Sequence, residues 1–171
     1  LLTKSNLLLG LVVIIGFMLR FGRINSFENE YYSAGSVSVL QNWHNFLFLS
    51  FDPAGLVSVD KPPLAIWIQS IPVFLFGYDR WLVNLPQVIL GTLSIILIYN
   101  LLKPVFGKIS ALSASAILAT MPSLIIVDSR NEPDSLLIFL SLLAVYSIIK
   151  MSSSNKFRWI IIFSLTLGAA F

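Results

Sequence analysis

The chain has 171 residues, of which 57% are hydrophobic and 11% charged, and its mean hydropathy is +0.87. Values this far from a soluble globular average identify a membrane protein. A net charge of +3 gives no support to a nucleic-acid partner, and the absence of cysteine together with a single histidine, His44, excludes a disulfide framework, a thiolate metal site and a histidine-based metal cluster within this segment.

Charge-free runs mark the spans in chain order. The first, 5–19, extends to about 3–22 if Lys4 and Arg20 snorkel to the interface. No small-residue cleavage site follows Leu19, and the chain continues through Arg20 and Arg23, so a removable signal peptide is not expected. An outer loop occupies about 23–81. Spans at 82–102 and 109–127 have the length of roughly 20 residues that a bilayer demands, a fourth covers 134–150, and a fifth starts at 159 and is cut off at Phe171. The chain reads as the N-terminal part of a longer transmembrane protein. Ser110, Ala111, Ser113, Ala114, Ser115 and Ala116 form a small-residue face that predicts close helix packing, as do Gly91 and Thr92.

Orientation follows from the cations. Lys4, then Lys103 and Lys108, then Lys150, Lys156 and Arg158 occupy the N-terminus and alternate connections with no acid among them, which is the positive-inside pattern. All eight carboxylates then fall on the opposite, outer face. The outer loop is too patterned for a slack connector. Its aromatic residues, Trp43, Trp67 and Trp81 among them, suit the headgroup zone as belt anchors. Two short helices parallel to the membrane are predicted. One runs from about Glu28 to Trp43; the other starts after Lys61-Pro62-Pro63 and runs toward Phe76, with Gly77 ending it and Pro72 kinking or shortening it.

Three acidic clusters face outward: Glu28-Asn29-Glu30-Tyr31-Tyr32; Phe51-Asp52-Pro53 with Asp60-Lys61-Pro62-Pro63; and Asp128-Ser129-Arg130-Asn131-Glu132-Pro133-Asp134. Taken in order with Trp43-His44-Asn45-Phe46, Trp67 and Leu85-Pro86-Gln87, they resemble a bacterial branch of the glycosyltransferases that use polyprenyl-phosphate sugars. That group contains the dolichyl-phosphate-mannose protein mannosyltransferases and the lipid A aminoarabinose transferases. Asp-Lys-Pro-Pro followed by tryptophan, with the later Asp-x-Arg-Asn-x-Pro-Asp, carries most of the specificity.

The resemblance implies an all-α, polytopic GT-C-type architecture with juxtamembrane helices in a large first extracytoplasmic loop. It also implies a catalytic acid near the end of the first span. Where much of the family has aspartate and then glutamate shortly before a tyrosine pair, this chain has Glu28-Asn29-Glu30, so the base stays open between Glu28 and Glu30, with Asp52, Asp60 and Asp128 as further catalytic candidates. Sugar transfer from a lipid phosphate to a hydroxyl needs a base on the acceptor and cations on the departing phosphate. Lys61, Arg130 or Arg80 can supply the charge, and Asn131, Asp134 and Tyr32 complete the expected substrate contacts.

The expected partners are a polyprenyl-phosphate sugar donor, a lipid, glycan or protein acceptor, and membrane lipids. No cofactor is fixed, and a divalent metal is left open. The expected setting is a bacterial plasma membrane with the site facing outward, and direct displacement would invert the anomeric carbon. Each residue also has a plainer reading. Glu28 and Glu30 sit in a first helical turn, Asp52 before a proline suits a turn, Asp128 or Asp134 suits an N-cap, and Lys61 suits lipid headgroups. A transporter or flippase for a lipid-linked anion is the alternative, but it would place ionisable groups inside the spans, and their apolar runs hold none. A non-catalytic assembly subunit would leave the acid clusters without a purpose.

Overall fold

The computed structural model describes residues 4–154 and 156–170; the expected start of the first span at residue 3 and the end of the fifth at Phe171 lie outside them. Among the described residues eight helices follow in order: α1 (Lys4–Phe21), α2 (Glu30–Ser38), α3 (Trp43–Phe48), α4 (Pro63–Phe76), α5 (Arg80–Thr120), α6 (Pro122–Asp128), α7 (Asp134–Ser153) and α8 (Arg158–Ala170). Helices α1, α5 and α7 are long and apolar enough to cross a membrane, and α4 and α8 are shorter apolar helices. The architecture is that of an all-α polytopic membrane protein, with α2–α4 in the long first connection.

Glycine and proline set the breaks. Gly107, at φ 79°, divides the 41 residues of α5 into two arms. The second arm folds back on the first, so that Ser115 Oγ donates to the Ile95 carbonyl at 3.3 Å on a buried seam that includes Ala111. Pro122 then disfavours helical dihedrals at Met121, which is extended, and α6 restarts with proline in its first turn. The stretch expected as one span over 109–127 is therefore two helices.

Helix α1 lies antiparallel to the first arm of α5. At one end the Ser5 and Tyr99 hydroxyls are 2.5 Å apart; at the other Asn84 Nδ2 donates to the carbonyls of Ile24 and Phe27 at 2.7 and 2.9 Å. Gly16 permits the approach, since a Cβ there would overlap Ile95 and lie 3.1 Å from that of Ala119. Leu136 and Leu140 of α7 pack with Leu90 of α5 and Ala65 of α4, and α8 returns to place Ala169 and Ala170 on the same cluster. Helix polarity thus gathers the six acid-free cations around the Gly107 and α7–α8 turns and the acidic clusters at the opposite end.

Asparagine caps organise the outer connection. Asn29 accepts from Tyr31 N–H at the start of α2, and Asn42 accepts from Asn45 N–H at the start of α3. The second cap is why the helix expected over 28–43 is instead α2 followed by a separate α3. Tyr32, Val39, Leu49, Val59 and Ile66 form a small buried core, and α2 meets it closely because Gly35 has no Cβ, which would stand 2.9 Å from Val59 Cγ2. Trp67 is drawn inward rather than serving as a belt anchor: it stacks on Phe46 at 5.1 Å and donates Nε1–H to the Phe46 carbonyl at 3.0 Å. Trp43, Phe74 and Phe76 remain exposed. Helix α4 ends at Gly77, φ 86°, and runs unshortened through Pro72, with buried Ala65, Ile66, Gln69 and Val73 anchoring both sides of the proline.

This polarity predicts the pattern of labelling by a membrane-impermeant thiol reagent in intact cells. Single cysteines at positions 52 and 132 should react and those at 103 and 153 should not; reaction at 153 without reaction at 52 would overturn the orientation.

Candidate functional site

Arg20 and Asp128 meet at the acid-bearing end of the bundle. Arg20 Nε donates to Asp128 Oδ2 at 2.8 Å, with the two side chains 0% and 4% exposed. The remaining guanidinium donors reach carbonyls: Gly16 and Ala119 at 3.0 Å each and Leu118 at 3.1 Å. Asp128 Oδ1 accepts from Ser135 Oγ at 2.7 Å, and Ser129 Oγ donates to the Arg20 carbonyl at 3.0 Å. Helix α5 can lie against this pair only because residue 91 is glycine, since a Cβ there would overlap the Asp128 carboxylate. Arg20 therefore does not snorkel, and Asp128 is committed to a buried pair instead of facing an open site. Asp128 does not cap α7 either, which starts after Pro133 without a side-chain cap; Asp134 is its first residue.

Next to this pair the turn between α6 and α7 grips the start of α2. Asn131 is fully buried. Its Oδ1 accepts from Asn29 N–H at 2.7 Å, and its Nδ2 donates to the Asn29 carbonyl and to Ser33 Oγ, both at 2.9 Å. The Asn131 carbonyl accepts from Gln69 Nε2 at 2.8 Å, and Asn29 Nδ2 donates to Glu132 at 3.1 Å. Glu28 and Glu30 flank the gripped Asn29. Every side-chain donor and acceptor of Asn131 is taken within the protein, which leaves none for a substrate.

The two glutamates differ. Glu28 accepts from Ser33 Oγ at 2.5 Å, from the Tyr78 hydroxyl, and from Arg80 Nε at 2.8 Å. Burial pushes its carboxyl up, but the hydrogen bonds from Ser33, Tyr78 and Arg80 and the Arg80 charge outweigh that and hold it below the ordinary carboxylate value. Glu30 is exposed and has no hydrogen bond or ion pair among the described residues. It lines a groove of about 480 Å³ along one face of α2, with Ser33, Val37, Phe51 and Tyr78. Arg80, a sequence candidate for phosphate, is thus engaged with Glu28. Arg20 and Tyr78 are not legible in the sequence as partners of the acids, because their contacts join residues 108 and 50 apart, whereas the Ser33 contact to Glu28 spans only five residues.

The remaining candidates are spread over the outer loop and the α6–α7 turn. Lys61 Nζ is 3.8 Å from Asp60, both exposed, and the Asp60 N–H donates to the Tyr31 hydroxyl at 3.2 Å. Lys61 and Asp134 stand at a cavity of about 100 Å³ between α4, α7 and α8 whose lining continues through Ala65, Leu136, Leu140 and Ala169. Tyr32 packs in the loop core, and burial, with the charges of Asp60, Glu132 and Asp134, pushes its hydroxyl up to about 12. Arg130 pairs with Glu132 at 3.3 Å and lies over the Phe27 ring. Asp52 is a turn residue: its carboxylate accepts from the N–H groups of Val57 and Leu56 at 2.8 and 3.0 Å, which lower its pKa. No group of three or more histidine or carboxylate side chains among the described residues stands together to hold a metal ion.

The all-α membrane bundle thus gathers its acids, together with Arg20, Lys61, Arg80 and Arg130, at one end. The chain belongs to the dolichyl-phosphate-mannose-protein mannosyltransferase family, which it matches over residues 60–171. It is 41% identical over 143 residues to the "Putative mannosyltransferase YkcB" of Bacillus subtilis and 38% identical over 143 residues to the "Putative mannosyltransferase YycA" of the same organism. Each match covers 84% of this chain. The chain spans about a fifth of the length of these relatives, 20% and 21%. No solved structure matches it.

Removing one partner of a buried ion pair costs about 3–5 kcal/mol, whereas replacing both by apolar residues is often nearly neutral. Arg20→Leu and Asp128→Leu should each lower the melting temperature of the detergent-purified protein, and the double variant should recover most of the loss. Equal melting temperatures for wild type and both single variants would show that the pair is dispensable.

Proposed function

We propose that the chain carries the donor-binding and base-bearing part of a glycosyltransferase that moves a sugar from a polyprenyl-phosphate donor to a hydroxyl acceptor outside the cytoplasmic membrane. The observation that carries this reading is the cavity between α4, α7 and α8, in which Lys61 and Asp134 form a charged mouth above a lining of Ala65, Leu136 and Leu140. A phosphate on an isoprenoid tail has the same division, anionic head and apolar chain. Lys61 follows the outer loop into α4, where a phosphate at the membrane surface can meet its ammonium as a point charge.

On this reading Glu28 is the base. Three donors hold its carboxylate in one orientation, and its lowered pKa keeps it ionised through the neutral range. Glu30, on the rim of the groove, contacts the acceptor. The acceptor oxygen attacks the anomeric carbon, its proton passes to Glu28, and the bond to the phosphate breaks, leaving polyprenyl phosphate on Lys61. Direct displacement inverts the anomeric centre. Arg130 and Tyr32 lie beside Glu132 and Asp134 near this path, with Asp60 as the counter-charge of Lys61.

Loss of a general base removes roughly 10²–10⁴-fold of rate. Glu28→Gln should therefore lose that much turnover with normal membrane insertion, while Glu30→Gln mainly raises the acceptor KM. Lys61→Ala should weaken donor use by on the order of ten- to a hundredfold, as expected for a charge-assisted contact to phosphate. Steady-state kinetics with purified polyprenyl-phosphate mannose checks all three; near-normal turnover in Glu28→Gln would move the base elsewhere.

A further inference from the structure

We propose that Asn131 is a positioning residue for the acid turn: through the Asn29 peptide and the Ser33 hydroxyl it fixes the placement of Glu28 and the direction of the hydrogen bond that Glu28 receives. The inference rests on the reading of Glu28 as the base.

The donor count sets the direction of this relay. Asn131 is 0% exposed, and its carbonyl is itself held by Gln69 Nε2 at 2.8 Å. Both Nδ2 hydrogens are given away, one to the Asn29 carbonyl and one to Ser33 Oγ. Ser33 Oγ is then an acceptor from Asn131, and its single proton points to Glu28 Oε1. The Oδ1 bond from Asn29 N–H completes a two-bond clamp on the residue between the two glutamates. A side chain that touches no substrate thereby holds the carboxylate beside Ser33 and Tyr78, two residues that line the groove.

Other charged or titratable groups also bear on Glu28. Tyr78 and Arg80 reach it from the start of α5, Glu30 stands in the first turn of α2, and Arg130 and Glu132 of the α6–α7 turn pair with each other, Glu132 also accepting from Asn29. Ser33 also interacts with Tyr78, so Ser33→Ala touches that contact as well, whereas Asn131→Asp leaves the Ser33 hydroxyl, Tyr78 and Arg80 in the chain.

Asn131→Asp keeps the shape of the side chain but turns a donor into an acceptor. The new oxygen competes for the Ser33 proton and adds negative charge nearby. Ser33→Ala removes the hydroxyl alone and serves as the second variant if Asn131→Asp does not fold. Losing a hydrogen bond to the carboxylate favours the protonated form, so the Glu28 pKa should rise by about one unit in either variant. The acid limb of the rate profile should move to higher pH by the same amount.

Two readouts on the protein in its membrane form decide the matter. The first is the infrared carboxylate band of Glu28, assigned by its loss in Glu28→Gln and followed through a pH titration; the second is the pH dependence of kcat. An upward shift of the infrared titration supports the positioning role. If it shifts and the rate profile does not, the role of Asn131 stands and the assignment of Glu28 as base fails. An unshifted Glu28 titration in a folded Asn131→Asp or Ser33→Ala protein overturns the inference.

Discussion

The buried pair of Arg20 and Asp128 is the constraint on which the acid-bearing end depends. A guanidinium and a carboxylate removed from water are tolerable only when every donor and acceptor is matched. Here Arg20 satisfies its donors on Asp128 and on carbonyls of α1 and of the second arm of α5, while Ser135 serves the other carboxylate oxygen. Four segments, α1, α5, α6 and α7, must therefore close on one point. Gly16 and Gly91 sit where the chains approach too closely for a side chain.

That junction fixes the two strips of backbone that build the site. Downstream of Arg20 the chain turns through Ile24 and Phe27, whose carbonyls are held by Asn84, and arrives at Glu28. Downstream of Asp128 it turns through Asn131, which grips Asn29. The acids on which the proposed chemistry depends are thus attached to the bundle at both ends of a short turn. Glu28 gains fixed donors, while Glu30 two residues on keeps its freedom; in a transfer reaction an oriented base and an adaptable acceptor contact ask for that division.

Much of this was legible in the sequence because it depends on local pattern. Hydropathy and cation placement read out the helices and their polarity, and Pro62-Pro63 and Gly77 marked α4. The resemblance pointed to the family. What sequence could not give depends on pairing between distant segments. Arg20 at the end of an apolar run reads as a snorkelling cation until Asp128, 108 residues later, is placed beside it. Asn131, inside a charged motif, looks like a substrate contact until its hydrogen bonds are counted. The break before Pro122 has a local cause that the charge-free run concealed, and Asn42, a usable N-cap, was overlooked within an aromatic stretch.

The central claim is that an acid held on the α2 turn faces a sugar whose phosphate rests near Lys61. An experimental structure of the protein in lipid with a non-transferable polyprenyl phosphonate sugar tests it most directly. The account predicts the phosphonate against Lys61, the isoprenoid chain along Leu136 and Leu140, and the anomeric carbon directed toward Glu28. A phosphonate bound away from Lys61, or a sugar on the far side of α4 from the Glu28 turn, would contradict it.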